Sequence, residues 1–365
     1  MKKLTCLMMA AVTVFACFSV SASAKESARI LELAEKFEDG IGPEVNGIKI
    51  DYVSYTPENL RRGVKYPLVI LIHGMGQGGE KREQIVNNDF PAFAGREMQS
   101  RFTNGAAYIF IPRSDESENP YGTWSDDEVE PLYAAIRQFI SANRAHIDTT
   151  RIYIGGYSMG GKMVLKMISS YPKMFAAAFP MCPAYIPTDA QIEAVKNMPL
   201  WVLSSRYDVI GGYHVFGKQL WEQICRITKV PGKCRLSVFG TVCYPDGKKT
   251  PSNHHVWFAA SNDMFSYKHG DYPNMTTCDA NGKEIKLTYP DGLISWLCKY
   301  RSSYSGADLK ITNLVEENDS KVIDLGIRIL KGLKYEVADT FRAVVKTLTG
   351  KLEFRPDAGR PGIFG

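Results

Sequence analysis

The chain has 365 residues, 45% hydrophobic and 23% charged, with 44 Lys and Arg against 39 Asp and Glu for a net charge of +5. Such a composition belongs to a globular chain rather than a disordered one, and a charge so near balance argues against a dedicated nucleic-acid binder. Beyond the N-terminal leader no segment is apolar for long enough to read as a transmembrane helix, so no stable membrane insertion is expected.

The leader itself combines the basic Met1-Lys2-Lys3, the apolar stretch Leu4 to Val20 and the small residues Ala22-Ser23-Ala24. This is the pattern of a secretory signal peptide over residues 1–24, with a secreted or periplasmic destination. A membrane anchor or a lipidated Cys17 fits less well, because the apolar run is short and Cys17 lies within it. Removing the leader takes Lys2 and Lys3 and leaves 42 − 39 = +3. It also removes Cys6 and Cys17, leaving Cys182, Cys225, Cys234, Cys243, Cys278 and Cys298. An even number of cysteines in an exported chain favours disulfides, and Cys225 with Cys234 could close a loop around Pro231-Gly232. Six cysteines allow about 15 pairings, so connectivity stays open. No cysteine or histidine spacing matches a zinc site, and neither metal nor cofactor is expected.

The roughly 340 residues after the leader suffice for one large α/β domain and an appendage. Ile48 to Tyr55 alternates like an edge strand, and Leu68 to Ile72 and Tyr108 to Ile111 are short buried runs. Ser125 to Ala145 reads as a helix opened by the capping box Ser125-Asp126-Asp127-Glu128. A β-rich run from Arg151 then stops at a glycine-flanked serine, and the helical pattern Lys162 to Ile168 follows at once. Further short runs at Ala176 to Met181, Leu200 to Leu203 and Leu236 to Phe239 alternate with helical stretches, which predicts a mostly parallel sheet with helices on both faces. Leu293 to Cys298 is the last expected core helix, and Val322 to Leu348 carries a helical apolar stripe. The expected organisation is a catalytic domain over 25–302 and an extension over 303–365, whose amphipathic helix packs on the domain or makes an oligomer.

Gly156-Tyr157-Ser158-Met159-Gly160 carries the chemistry. G-x-S-x-G alone is a weak pattern, but between a strand and a helix it reads as a nucleophile elbow, with Ser158 exposed on a strained turn. The glycines let neighbouring segments approach, and the helix N-terminus aims its free N–H groups at any oxyanion formed there. Upstream, the buried run Leu71-Ile72 enters the glycine-rich His73-Gly74-Met75-Gly76-Gln77-Gly78-Gly79. Paired with an elbow, such a loop is expected to supply half of an oxyanion hole, the N–H of Met75 joining that of Met159. His73 reads as a residue shaping the loop.

A serine hydroxyl needs a base, and the base needs an acid to hold its tautomer. Asp208 follows the run Leu200 to Leu203, at the strand end where open α/β sheets gather functional groups. Asp189, Glu193, Glu222 and Asp246 lack that position, so Asp208 is the candidate acid. His254-His255 lies beyond the run Leu236 to Phe239. Either could be the base, His269 is a weaker alternative, and no third ligand accompanies the pair to suggest metal binding. Trp124, Trp257, Tyr121 and Tyr213 are candidate pocket aromatics, with Trp124 and Trp257 named as substrate contacts; core packing is the competing use of such residues.

These residues resemble an α/β-hydrolase group of secreted esterases and predicted peptidases that includes polyhydroxybutyrate-depolymerase-like and feruloyl-esterase-like enzymes. The likeness lies in Tyr66-Pro67-Leu68-Val69 leading to His73-Gly74-Met75-Gly76, and in Asp148 to Tyr153 before the elbow. It continues in Tyr171-Pro172 with Phe175-Ala176-Ala177, in Pro199 to Val202 ahead of the acid, and in His254-His255-Val256-Trp257. The His-x-x-Trp of that group selects His254 as base. Ser204-Ser205 stands where the group often has His-Gly, and the turn after Asp208 differs, so the substrate side of the site departs from the pattern. The resemblance covers roughly residues 48–300 and implies an α/β-hydrolase fold and a Ser158, Asp208, His254 triad cleaving carboxylic esters, small or linked to a polysaccharide. A peptidase is the alternative within enzymes, and a non-catalytic binding protein on the same scaffold the alternative outside them.

Overall fold

The computed structural model describes residues 24–77, 88–114, 123–244, 247–265 and 275–306. Residues 1–23 of the expected signal peptide, Tyr121, His269 and the helix expected over 322–348 lie outside them. Among the described residues no helix is long and apolar enough to cross a membrane.

Among the described residues nine strands form one sheet: β1 (Glu38–Ile41), β2 (Asp51–Tyr55), β3 (Tyr66–Ile72), β4 (Tyr108–Pro112), β5 (Ile147–Tyr157), β6 (Ala177–Met181), β7 (Trp201–Ser205), β8 (Arg235–Phe239) and β9 (Thr276–Asp279). Their order is β1-β2-β4-β3-β5-β6-β7-β8-β9. From β4 to β8 every pairing is parallel, while β1 on β2, β2 on β4 and β9 on β8 are antiparallel. Every residue of β3 and β4 is buried, as expected of strands covered on both faces. The fold is the α/β-hydrolase fold that the resemblance implies, and its mostly parallel sheet is the one that the alternation of apolar runs and helical stretches predicts.

The ends are where the expectations slip. Ile48 to Tyr55 is not an edge strand, because β1, which carries only one isolated apolar residue, adds outside it. The helix expected from Ser125 starts at Val129 and ends at Ala142. Glu128 does accept the Ser125 N–H at 2.6 Å, but that bond closes a turn ahead of the helix rather than its first turn.

Among the described residues eleven further segments are helical; those that matter to the site are α1 (Met159–Ser170), α2 (Lys218–Ile227), α3 (Trp257–Ser261) and α4 (Leu293–Leu297). The chain divides into one unit over residues 1–139 and 143–305 and a second over 140–142 and 306–365. Within the first, the chain remains tied down past Tyr300: Ser302 donates its N–H to Thr150 at 2.8 Å, Arg301 reaches Asp148 at 3.1 Å, and Tyr304 is buried.

The expected disulfides are not formed: all six cysteines are free thiols. Cys225 is exposed on α2, whereas Cys234 is buried with its sulfur 3.7 Å from the Met198 carbonyl and 3.5 Å from Thr228 Oγ1. Cys225 and Cys234 therefore leave the loop around Pro231-Gly232 without the bridge expected of them.

Candidate active site

β5 ends at Tyr157 and α1 begins at Met159, so the turn between them consists of Ser158 alone. Its φ of 56° and ψ of −119° are the strained conformation expected of an elbow. Two frames hold it there. Its N–H bonds the Met181 carbonyl at 2.9 Å, and its carbonyl accepts from Lys162 and Ala184, each at 3.1 Å. The glycines on either side are required sterically. A Cβ on Gly156 would lie 2.7 Å from the Gly160 carbonyl, and one on Gly160 would lie 2.3 Å from the carbonyls of both Ile72 and His73. The elbow is therefore packed directly on the loop that leaves β3.

That loop is shaped by His73, as its sequence position suggested. Fully buried, His73 donates through Nδ1 to the Gly74 carbonyl at 2.7 Å and accepts the Ser114 N–H at Nε2, 3.1 Å away. Burial lowers its pKa to about 4, so it stays neutral with one tautomer fixed by its partners. Gln77 accepts the Gly74 N–H at 3.3 Å and exchanges two hydrogen bonds with Asn88, which also accepts from the Tyr157 hydroxyl at 2.8 Å. This buried network ties the Met75 loop to the residue before Ser158. Sequence reading gave no role to Gln77, although it lies in the glycine-rich loop, and missed Asn88; only the folded chain brings the two together.

Asp208 lies just beyond β7 and is buried. Its carboxylate accepts the Ile210 N–H at 2.8 Å, the Gly211 N–H at 3.3 Å and, on Oδ2, His254 Nδ1 at 2.7 Å. Burial alone would raise its pKa, but the imidazole and these donors together hold it below the usual carboxylate range. Of the two adjacent histidines, only His254 meets the acid. His255 turns toward Trp257 and Phe258, its buried Nδ1 has no hydrogen-bond partner, and burial pushes its pKa down to about 4. Ser158, Asp208 and His254 all emerge at the carboxyl ends of parallel strands β5, β7 and β8, the edge where such sheets build sites.

The two tryptophans expected at the substrate are both buried. Trp124 is 1% exposed, and its indole N–H is committed to the His73 carbonyl at 3.0 Å. Trp257 is 7% exposed and stacks on Tyr157. Tyr207 and Val209, by contrast, flank Asp208 and are 65% and 82% exposed. Among the described residues, the one cluster with metal-ligand chemistry is Cys182, Asp208 and His254, and its carboxylate and imidazole are already bonded to each other.

Comparison with known proteins agrees with this geometry. A family model described as "Putative esterase" matches residues 46–229, half of the chain. A 131-residue stretch is 30% identical to dipeptidyl aminopeptidase A of Saccharomyces cerevisiae, covering 34% of this chain and 13% of that protein. Another, of 173 residues, is 26% identical to dipeptidyl peptidase 8 of Mus musculus, covering 43% and 18%. The chain thus spans less than a fifth of the length of the curated relatives it matches. The solved structure of a thermostable esterase superposes with a TM-score of 0.52 at 24% identity, over 64% of this chain and 62% of that one. With the matched region running from ahead of β2 to the end of α2 and enclosing both Ser158 and Asp208, the chain belongs to the Esterase family of α/β-hydrolases.

Proposed function

We propose that this hydrolase cleaves carboxylic esters through a Ser158, His254, Asp208 triad and an acyl-enzyme. The observation that carries the reading is the His254 to Asp208 bond of 2.7 Å, made at Nδ1 and leaving Nε2 to act as base. Ser158 attacks the ester carbonyl while His254 takes its proton. The N–H groups of Met75 and Met159 stabilise the tetrahedral oxyanion. His254 then returns the proton to the departing alkoxide, leaving Ser158 acylated. Water, deprotonated by His254, releases the acid and restores the serine.

Membership in the Esterase family favours an ester substrate. The two relatives named as dipeptidyl peptidases favour a second reading, a serine peptidase, since the same groups can protonate an amine leaving group. We further propose that residues 1–24 are a signal peptide and that the enzyme acts outside the cytoplasm.

The test is turnover of p-nitrophenyl acetate, a feruloyl ester, a long-chain acyl ester and a dipeptidyl p-nitroanilide by the parent, Ser158→Ala and Asp208→Asn. Losing a triad member costs on the order of 10⁴-fold in rate, and Ser158→Ala should no longer react with a fluorophosphonate. Anilide turnover exceeding that of every ester would replace the esterase reading with the peptidase. An Asp208→Asn enzyme with parental turnover would remove Asp208 from the triad.

A further inference from the structure

Cys182 follows β6 directly, and its backbone has a φ of 40°, left-handed and unfavourable for any residue but glycine. Its surroundings explain why the chain is held there. Met181, the residue before it, accepts the Ser158 N–H, and the N–H of Cys182 bonds the Leu203 carbonyl on β7 at 2.8 Å. Its carbonyl packs on Gly211, where a Cβ would come within 2.3 Å of that oxygen and 3.1 Å of His254 Cε1. Cys182 therefore bridges the strand that supports the elbow and the turn that carries the acid. Its sulfur is fully buried, and the sulfur, an Asp208 carboxylate oxygen and a His254 ring nitrogen all lie within 4.8 Å of one another.

We propose that Cys182 is a positioning residue for the triad, its thiol donating S–H to the Asp208 carboxylate and helping to fix that carboxylate against His254. The inference rests on the triad reading above. A carboxylate offers about four lone-pair sites; three donors are already on it, Ile210, His254 and a Gly211 N–H shared between both oxygens, and the thiol lies within 4.8 Å as a fourth. Burial and the neighbouring carboxylate push the thiol far above its ordinary value. It is thus protonated at neutral pH, and the hydrogen bond runs from sulfur to oxygen. The thiol in turn helps to keep Asp208 ionised. No bond forms or breaks at the sulfur during turnover, and with no exposed surface it is not a second nucleophile.

The experiment compares Cys182→Ala and Cys182→Ser with the parent and Asp208→Asn, by steady-state kinetics on p-nitrophenyl acetate across pH. Thermal unfolding is recorded for each. Removing the donor should lower kcat about tenfold with KM within about twofold. It should also raise the proton affinity of the coupled Asp208 and His254 pair, moving the acid limb of the kcat/KM profile upward by about half a unit. The hydroxyl of Cys182→Ser replaces the donor, so it should recover most of the lost rate and return the limb to the parent's position or below. A Cys182→Ala enzyme with parental kcat and acid limb overturns the proposal, as does a Cys182→Ser enzyme that behaves like Cys182→Ala. Should Cys182→Ala not fold, an acid limb in Cys182→Ser above the parent's overturns it, and one at or below supports it. Failure of the triad reading looks different, because then Asp208→Asn itself retains activity.

Discussion

The ring of Tyr157 stacks on that of Trp257 with centroids 3.8 Å apart, so the residue before the proposed nucleophile and the one three places after the proposed base share a single packing unit. Trp257 also lies edge-on to His254, at 5.8 Å. Trp257→Ala should cost about 3–5 kcal/mol of stability and lower kcat more than it raises KM, because the loss loosens both sides of the site. Tyr157→Phe keeps the stack and loses the hydroxyl's bonds with Asn88 and the Gly74 N–H, so its cost should be about 1–2 kcal/mol. Urea unfolding and kinetics on one activated ester measure both. Equal losses in the two variants would show that the stack is not what couples them.

Two adjacent histidines offer a sharper contrast. His254→Ala removes the group bonded to Asp208 and should reduce kcat by several orders of magnitude at neutral pH. His255→Ala removes a ring that meets only Trp257 and Phe258, and kcat should stay within about tenfold, or about 1.4 kcal/mol. If His255→Ala is the inactive enzyme, the base has been misassigned although the fold stands.

Stability should depend on pH through His73 and His255, whose pKa values in the folded protein are both near 4 against about 6.5 unfolded. Between these values the unfolded chain binds protons that the folded one does not. The contribution is fully present above about pH 6.5 and is lost as pH falls toward 4, at up to roughly 1.4 kcal/mol per unit for the fully buried His73 and less for His255. Denaturant midpoints measured from pH 7 to 4.5 should fall steadily, and His255→Gln should flatten the decline. An unchanged slope in that variant would mean that His255 titrates normally.

The end of the chain gives a test by truncation. A protein ending at Ser305 keeps the Ser302 bond to Thr150, the Arg301 pair with Asp148 and buried Tyr304, and should hydrolyse small esters at the parental rate. One ending at Tyr300 loses all three and should melt several degrees lower. Loss of activity in the longer form would make residues 306–365 part of the catalytic unit, and size exclusion of parent and truncation would show whether they make an oligomer.

Much of this architecture could be read from residues alone because the central strands are buried on both faces and so appear as unbroken apolar runs between glycines and caps. β1 and β9 escaped because antiparallel edges need no such run; in Glu38-Asp39-Gly40-Ile41 only Ile41 is apolar. Ser158 and Asp208 were legible from where a strand stops. What residues could not convey was which way a side chain turns. Trp124 and Trp257 were as plausible on a pocket wall as beneath it, and Cys234 as plausible facing Cys225 as facing the core. The supporting contacts of Asn88 and Cys182 are likewise products of long-range folding, with partners scattered along the sequence.

The strained serine has a consequence for how the protein would respond to selection. A side chain at φ 56°, ψ −119° costs on the order of 1–3 kcal/mol that glycine would not incur. Ser158→Gly should therefore unfold at a higher temperature than the wild type while doing no chemistry. A random library screened for heat resistance alone would drift toward dead enzymes at this position, and a stabilised catalyst has to be sought by screening for turnover and endurance together.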